Sequence, residues 1–186
     1  MIGWMVKIFG FSGSLRKGSY NKSLLCAAVE SLPKDVEIEI FSLEGIPTFN
    51  QDLEMDTPER VKEFKAKIQG ADAILIATPE YNHSVSGVLK NTLDWASRPY
   101  GDNSFNGKPV AIMSASIGDL GGVRAQNHLR DILACLDTHM INKPRVYVAH
   151  ANEKIDENGM VIDKETRERI RELVLSLVAK VRELSK

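Results

Sequence analysis

The sequence has few cysteines, no excess of one charge and no long apolar run, and each shortage excludes a class of protein. Its two cysteines, Cys26 and Cys135, lie far apart and each falls inside a helical pattern. We therefore expect two buried thiols in a reducing compartment rather than a disulfide. The 24 basic and 25 acidic residues nearly cancel, which argues against a nucleic-acid or membrane-surface binder and favours a small-molecule partner.

Apolar runs stay well short of the roughly 20 residues that a membrane-spanning helix needs. The N-terminus leads directly into a predicted strand, so we expect no cleavable signal and a cytoplasmic protein. The sequence shows no internal repeat and no low-complexity tract. With 186 residues, the chain is long enough for one sizeable core and short for two, which predicts a single domain over residues 1–186.

Strand and helix patterns alternate five times along the chain. That alternation predicts a doubly wound α/β fold, a parallel sheet with helices on both faces. The continuous apolar run 73–77 indicates a central strand, whereas the alternation at 36–40 indicates a strand at the sheet edge. Predicted strands lie near 6–11, 36–40, 73–77, 110–113 and 146–148, and predicted helices near 21–32, 57–70, 89–96, 125–136 and after Asp163.

Local signals mark the ends of several elements. Thr57 precedes Pro58 and Glu59, which predicts a helix whose first turn the threonine hydroxyl caps. Asp163 is predicted to cap the last helix. Between them, the pair at 158–159, Asn-Gly, predicts a tight hairpin turn at the periphery of the domain.

Three loops rich in small and polar residues, 12–20, 78–87 and 114–122, follow predicted strands one, three and four. We expect the strand order 2-1-3-4-5, in which these strands are neighbours. Ligands of such sheets bind beyond the carboxyl ends of the strands, where the order reverses. The three loops are therefore predicted to form one crevice.

The first of these loops has the composition of an anion site. Gly13 and Gly18 have the spacing of a nucleotide-triphosphate loop, but the required lysine is missing, and the three-glycine dinucleotide fingerprint is also absent. Backbone N–H groups, hydroxyls of Ser14 and Ser19, and the charge of Arg16 suit a terminal monophosphate without a metal. The alternative is a small-residue turn with a solvated arginine.

Three stretches make the interpretation more specific: GSLRKGSYN at 13–21, TPEYNHSVSGVLKNTLDW at 78–95 and GGVRAQNHLR at 121–130. Together they resemble the NADPH-dependent FMN reductase family, and within it the branch of chromate and quinone reductases. The resemblance spans nearly the whole chain. It implies a flavodoxin-like five-stranded fold, FMN as cofactor, and NADPH or NADH as co-substrate.

The resemblance also implies a set of cofactor-binding residues. The FMN phosphate would lie at the first motif, one edge of the isoalloxazine ring would lie along backbone groups of the second, and the loop after strand four would close the opposite edge. This chain departs from relatives at His83, where they often carry an aromatic residue. The implied residues are Ser14, Arg16, Ser19, Tyr20 and Asn21, then Pro79, Glu80, Tyr81 and Asn82, and finally Ser116, Ile117 and Gly118.

No residue is expected to act as a catalyst, because a flavin carries its own electron sink. The four histidines are scattered without metal-ligand spacing, and we expect no metal site. For Glu80, solvation or a helix-capping role is favoured over direct proton transfer. Tyr81 is placed to flank the flavin, whereas Trp95 is expected in the core or at a subunit interface.

The predicted reaction passes hydride from the nicotinamide to FMN and then two electrons to an acceptor that occupies the same face. Arg124 and Lys17 are candidates to contact the phosphates of the nicotinamide nucleotide, although solvated cations are nearly as compatible with the sequence. The acceptor is a quinone, a flavin, an azo compound or a metal oxyanion such as chromate. The sequence does not distinguish among these acceptors. The resemblance implies a homodimer or homotetramer.

Two other functions fit part of the sequence. A non-enzymatic electron carrier of the flavodoxin type would use the same fold and crevice. Such carriers usually have a strongly acidic surface for docking redox partners, and this chain is nearly neutral, which favours the enzyme. The second alternative is a binding module that takes up no flavin.

Overall fold

The apolar run near the N-terminus forms a strand with parallel neighbours on both sides. The computed structural model describes residues 5–185. Residues 1–4, where we expect no signal, and residue 186 lie outside the described part. The strands are β1 (Val6–Ser12), β2 (Val36–Phe41), β3 (Ala73–Thr78), β4 (Pro109–Ala115), β5 (His139–Met140) and β6 (Val146–Val148). The helices are α1 (Tyr20–Glu30), α2 (Glu59–Gly70), α3 (Gly87–Ala96), α4 (Val123–Cys135), α5 (Ala151–Lys154) and α6 (Lys164–Leu184), with a short 3-10 helix at Gln51–Leu53.

The sheet is parallel throughout, and its order is β2-β1-β3-β4-β5, with β6 also paired to β4. The predicted order and fold class are confirmed, but the fifth position is divided between two strands. β5 pairs with Pro109 and Val110 and β6 with the 113–115 end of β4. Pro144 lies in the interruption, and proline has no N–H to donate to a strand neighbour.

Each face of the sheet has its own hydrophobic core. One core packs side chains of α1 and α6 against the sheet, and the other packs α2, α3 and α4 against the opposite face. All six residues of β3 are buried, which confirms the prediction of a central strand. In the second core the rings of Phe9 and Phe64 contact each other and also those of Phe11 and Phe41, with the centroids of these five pairs 5.2 to 5.7 Å apart. Such tilted contacts add to the stabilisation from burial.

The peripheral elements follow the sequence pattern with few differences. β2 is the edge strand, with Val36 buried and Ile40 43% exposed. The apolar stripe of α6 is buried as far as Val181. An antiparallel bridge joins the residues at 155 and 161, and Gly159 takes a φ of +81° in the turn between them, as the hairpin prediction requires. Within residues 5–185, no helix has both the length and the apolar character to cross a bilayer.

Two predictions about local structure are wrong. Thr57 does not cap α2: its hydroxyl donates to the carbonyl of Glu54 at 2.8 Å, and the helix begins without a side-chain cap. Cys26 and Cys135 are unpaired, as expected, but both are exposed rather than buried. They lie on the outward faces of α1 and α4, whose buried residues are different ones.

Candidate functional site

A pocket of about 390 Å³ opens at the carboxyl ends of β1, β3 and β4, where the three loops were predicted to meet. Apart from Asn82 and Gly118, every predicted cofactor-binding residue lines it, and Ala115 lines it in addition. The lining residues are Ser14, Arg16, Ser19, Tyr20, Asn21, Pro79, Glu80, Tyr81, Ala115, Ser116 and Ile117.

The first loop lies against the start of α3, and this contact requires glycine at position 13. A Cβ at Gly13 would lie 2.9 Å from the Cβ of Leu89, closer than such atoms approach in proteins. Ser86 joins the two segments: its hydroxyl donates to the carbonyl of Gly13 at 2.6 Å and accepts from the N–H of Leu89 at 3.1 Å. Sequence reasoning did not single out Ser86, although a serine before a helix is a capping signal.

The same loop presents backbone donors that the protein does not use. Among residues 5–185, no acceptor is bonded to the N–H groups of 15–21. Ser19 caps α1, its hydroxyl accepting from the N–H of Lys22 at 3.4 Å. Arg16 is exposed, with its guanidinium 5.0 Å from the centroid of the Tyr20 ring. Free amides, the positive end of a helix and a cation together fit a phosphate group.

Asn21 joins this loop to β4. Its side-chain amide both donates to and accepts from the backbone of Ala115, at 3.0 and 2.9 Å. One Nδ2 hydrogen remains for another acceptor. The structure therefore gives Asn21 a role in holding the pocket together, beside the phosphate contact that the resemblance implies.

The second loop folds back on itself at the edge of the pocket. Tyr81 and Ser84 exchange two backbone hydrogen bonds, at 3.1 and 2.9 Å. Between them Asn82 and His83 have φ values of +49° and +63°. Tyr81 lines the pocket and is 53% exposed, while Asn82 lies in the turn and does not line it.

Glu80 caps a helix rather than facing solvent alone. Its Oε2 accepts from the N–H groups of Arg124 and Ala125 at 3.0 and 3.1 Å, at the start of α4. Arg124 Nη1 lies 3.9 Å from Oε1 of the same carboxylate, whose side chain is only 12% exposed. Of the two interpretations that were favoured over proton transfer, solvation and helix capping, the structure shows helix capping.

Buried polar side chains of β4 and α4 hold the third loop in place. The hydroxyl of Ser114 donates to the carbonyl of Gly121 at 2.5 Å, and Gln126 Nε2 donates to that hydroxyl at 2.8 Å and to the carbonyl of Val146 at 2.7 Å. Gly122, with a φ of +85°, has no room for a Cβ, which would lie 2.7 Å from that of Ser114. Gln126 is fully buried. It lies on the inner face of α4 between Ala125 and Leu129, and a polar residue at such a position is the sequence feature that could have identified it.

The other candidate residues lie outside the pocket. Lys17 lines another groove of about 420 Å³, which the start of α1 and the hairpin at 155–159 also line. Arg124 is at the start of α4 with its side chain 46% exposed, and it does not line the pocket. Trp95 is a core residue: it is buried, and its Nε1 donates to the carbonyl of Pro47 at 2.9 Å. Within residues 5–185, no group of three or more His, Cys, Asp or Glu side chains is arranged to hold a metal ion.

Comparison with known proteins gives a family and relatives over nearly the whole chain. The family model described as NADPH-dependent FMN reductase matches residues 6–153. The chain is 46% identical over 180 residues to the NAD(P)H-dependent FMN reductase PA1204 of Pseudomonas aeruginosa, covering 96% of this chain and 97% of that protein. It is 42% identical over 178 residues to a 2-hydroxy-1,4-benzoquinone reductase of a Burkholderia species, covering 96% and 97%.

A solved structure agrees with these matches. FerB from Paracoccus denitrificans, described as a flavoenzyme NAD(P)H:(acceptor) oxidoreductase, superposes with a TM-score of 0.87 at 35% identity, covering 96% of this chain and 98% of FerB. The loop with free amides lies where such a sheet binds its ligand. The chain thus belongs to the NADPH-dependent FMN reductase family, and it is an oxidoreductase with FMN as cofactor and NAD(P)H as co-substrate.

Proposed function

We propose that the protein is an NAD(P)H-dependent quinone reductase whose cofactor lies in the pocket at the carboxyl edge of the sheet. One observation carries the proposal: the pocket combines a loop of free backbone amides at one end with exposed apolar side chains at its mouth. The amides suit the phosphate of FMN, and the apolar mouth suits a planar organic acceptor.

The residues that would hold FMN belong to all three loops. The free N–H groups of 15–21 and the guanidinium of Arg16 would hold the phosphate. Segments 79–81 and 115–117 would border the ring. Bound FMN supplies the chemistry, which is acceptance of hydride and donation of two electrons. The protein needs to orient the ring and leave one face accessible to both substrates in turn.

Two apolar side chains of the pocket favour a quinone as acceptor. Tyr81 and Ile117 line the pocket and are 53% and 65% exposed, and they belong to the second and third of the loops that form the site. A quinone ring covers such surface and gains from its burial. A chromate dianion would gain nothing from it and would lose hydration. The Burkholderia relative, named for a benzoquinone substrate, supports the same choice.

The nicotinamide nucleotide would reach the same face before the acceptor does. Arg124 lies at the start of α4, next to the Glu80 carboxylate that lines the pocket, and it is the cation placed to contact a phosphate of that nucleotide. Lys17 faces a different groove, so we assign it no role in this contact. Substrates that take turns at one face need no separate dinucleotide site.

One anaerobic experiment tests this function. Purified holoprotein should lose its flavin absorbance on addition of NADPH or NADH, and a benzoquinone should then restore it. Steady-state kcat/KM is compared for a quinone, free flavin, an azo dye and chromate, and the quinone should give the highest value. A higher value for another acceptor would contradict the quinone assignment. Reduction by a partner protein but not by nicotinamide would show a flavodoxin-type carrier.

The resemblance also leads us to propose a homodimer or homotetramer. Met55 and Tyr100 are 93% and 87% exposed, a costly state for large apolar side chains. Arg98 brings their segments together: its Nε lies 2.6 Å from Glu54 Oε1 and its guanidinium lies 3.8 Å from the centroid of the Tyr100 ring. Light scattering should report more than one chain per particle. A monomer that retains flavin and activity would refute the assembly.

A further inference from the structure

The loop at the edge of the pocket, residues 79–84, is attached to α4 at two points. We propose that Glu80 is a positioning residue, whose carboxylate holds this loop in the conformation that receives FMN by capping α4. The inference rests on the proposed FMN site, and it gives Glu80 a role other than direct contact with the cofactor.

The first attachment is the capping interaction of Glu80. Two backbone N–H groups, of Arg124 and Ala125, reach the same carboxylate oxygen at 3.0 and 3.1 Å. The first turn of a helix leaves its amides without partners, and a carboxylate there also interacts with the positive end of the helix dipole. With only 12% of the Glu80 side chain exposed, water replaces these contacts poorly.

The second attachment lies one turn further along α4. Nδ1 of His128 is 2.9 Å from the hydroxyl of Ser84. Arg124 and His128 are four residues apart, so they occupy one face of the helix. Glu80 and Ser84 are likewise four residues apart and enclose the turn. The loop and the helix are therefore held together at both ends of the loop.

The enclosed turn has a backbone that needs such support. Asn82 and His83 both have positive φ, a region that costs free energy for residues with a Cβ. Among the described residues, the other hydrogen bonds that hold this turn are the two between the backbones of Tyr81 and Ser84. Without the attachment by Glu80, the loop is expected to populate other conformations as well.

Loss of that conformation would appear as weaker FMN binding. A ligand that binds one conformation of a loop has its affinity reduced by the fraction of molecules in that conformation. Glu80→Ala should therefore raise the Kd for FMN about tenfold, the equilibrium equivalent of losing a helix cap. Glu80→Gln keeps an oxygen acceptor and should recover part of the affinity.

Asp163→Ala is the matched control, because it removes a carboxylate cap from the start of α6, and Asp163 does not line the pocket. Asp163 Oδ2 accepts from the N–H of Thr166 at 2.8 Å, so the lost interaction is of the same kind. FMN affinity is measured by quenching of flavin fluorescence. Asp163→Ala should bind FMN with the wild-type Kd. Wild-type affinity in both Glu80 variants would overturn the proposal.

Hydrogen exchange of the FMN-free protein provides a readout that does not depend on the cofactor. In Glu80→Ala, amides of 80–84 and of 124–126 should exchange faster than in the wild type, and in Asp163→Ala they should not. Unchanged exchange would overturn the positioning role. If the wild-type protein took up no FMN, the proposed function would fail while this exchange result still decided the role of Glu80. Should Glu80→Ala not fold, Glu80→Gln replaces it in both measurements.

Discussion

The side chain of Asn21 and the backbone of Ala115 form a pair of hydrogen bonds that joins the start of α1 to the end of β4. The donor–acceptor distances are 3.0 Å and 2.9 Å, and both residues are buried. The two residues are far apart in the chain and line the same pocket. These two hydrogen bonds fix the distance between the loop at 12–20 and the loop that follows β4.

Replacing Asn21 by alanine should therefore destabilise the protein and weaken FMN binding together. The N–H and carbonyl of Ala115 would lose their partners in a buried place, which is expected to cost about 2–4 kcal/mol of unfolding free energy. Urea denaturation and FMN titration measure the two effects. Asn91→Ala removes a similar pair, to Pro47 and Phe49 outside the pocket, and should lower stability alone. Equal FMN affinity in both variants would contradict the linkage.

Arg16 lines the pocket and forms no ion pair with another residue of the described chain. Arg16→Ala should weaken FMN binding by about 1.5–3 kcal/mol, because a charged hydrogen bond to the phosphate is lost. Isothermal titration of the FMN-free protein gives the value. Arg171→Ala removes an exposed arginine that pairs with Glu168 on α6, and it should bind FMN normally. Unchanged affinity in Arg16→Ala would exclude the residue from the phosphate site.

Gly13→Ala should destabilise the protein by about 1–3 kcal/mol, since the added Cβ overlaps Leu89 and the first loop must move away from α3. Gly70→Ala is the control. No atom lies within 4 Å of its added Cβ, and it should be neutral or stabilise by up to about 1 kcal/mol. Thermal unfolding of the FMN-free proteins compares the two. A stable Gly13→Ala that binds FMN normally would show that the close contact is not needed.

The cap of α6 should give the stability of the protein a measurable dependence on pH. Hydrogen bonds from the Thr166 hydroxyl and then from its backbone N–H lower the pKa of Asp163. A lowered carboxyl pKa stabilises the folded state above the ordinary value, and the contribution is lost as pH falls through the folded value. Asp163→Ala should be about 1 kcal/mol less stable than the wild type at pH 7. That difference should shrink below about pH 4.

Denaturant unfolding from pH 3 to pH 7 measures this dependence. Glu157→Ala, which removes an exposed carboxylate from the hairpin turn, should follow the wild-type curve. A difference between Asp163→Ala and the wild type that stayed constant over the whole range would contradict the assignment.

The strand order was predictable because the signals behind it are local or topological. The buried run 73–77 showed no alternation and became β3, and the alternation at 36–40 became the edge strand β2. The division of the fifth position was not predictable, because the two residues of β5 are too short a pattern to detect. The cap predicted at Thr57 failed because Pro58 occupies the capping position of α2, which leaves Thr57 one residue outside it, with its hydroxyl donating to the carbonyl of Glu54.

The pocket was predicted in outline, and its supporting contacts were not. The residues that line it follow the carboxyl ends of neighbouring strands, and the loop at 12–20 has the composition of an anion site. Ser86, Gln126 and the capping partner of Glu80 each act across many residues of sequence. A hydrogen bond between distant segments leaves no periodic signal, so a single sequence does not reveal it.

The amino-acid sequence by itself determined the parallel sheet, the edge at which the three loops meet and the absence of a triphosphate signature in the first loop, because periodicity and loop composition are properties of short segments. Only the tertiary structure decided which side chains hold the loops and which remain free for the cofactor. Asn21, Glu80 and Ser86 are all polar residues in loops or at helix starts, yet each is bonded to a backbone group far away in the chain. Folding brings those groups within hydrogen-bond distance, and burial makes each bond costly to lose.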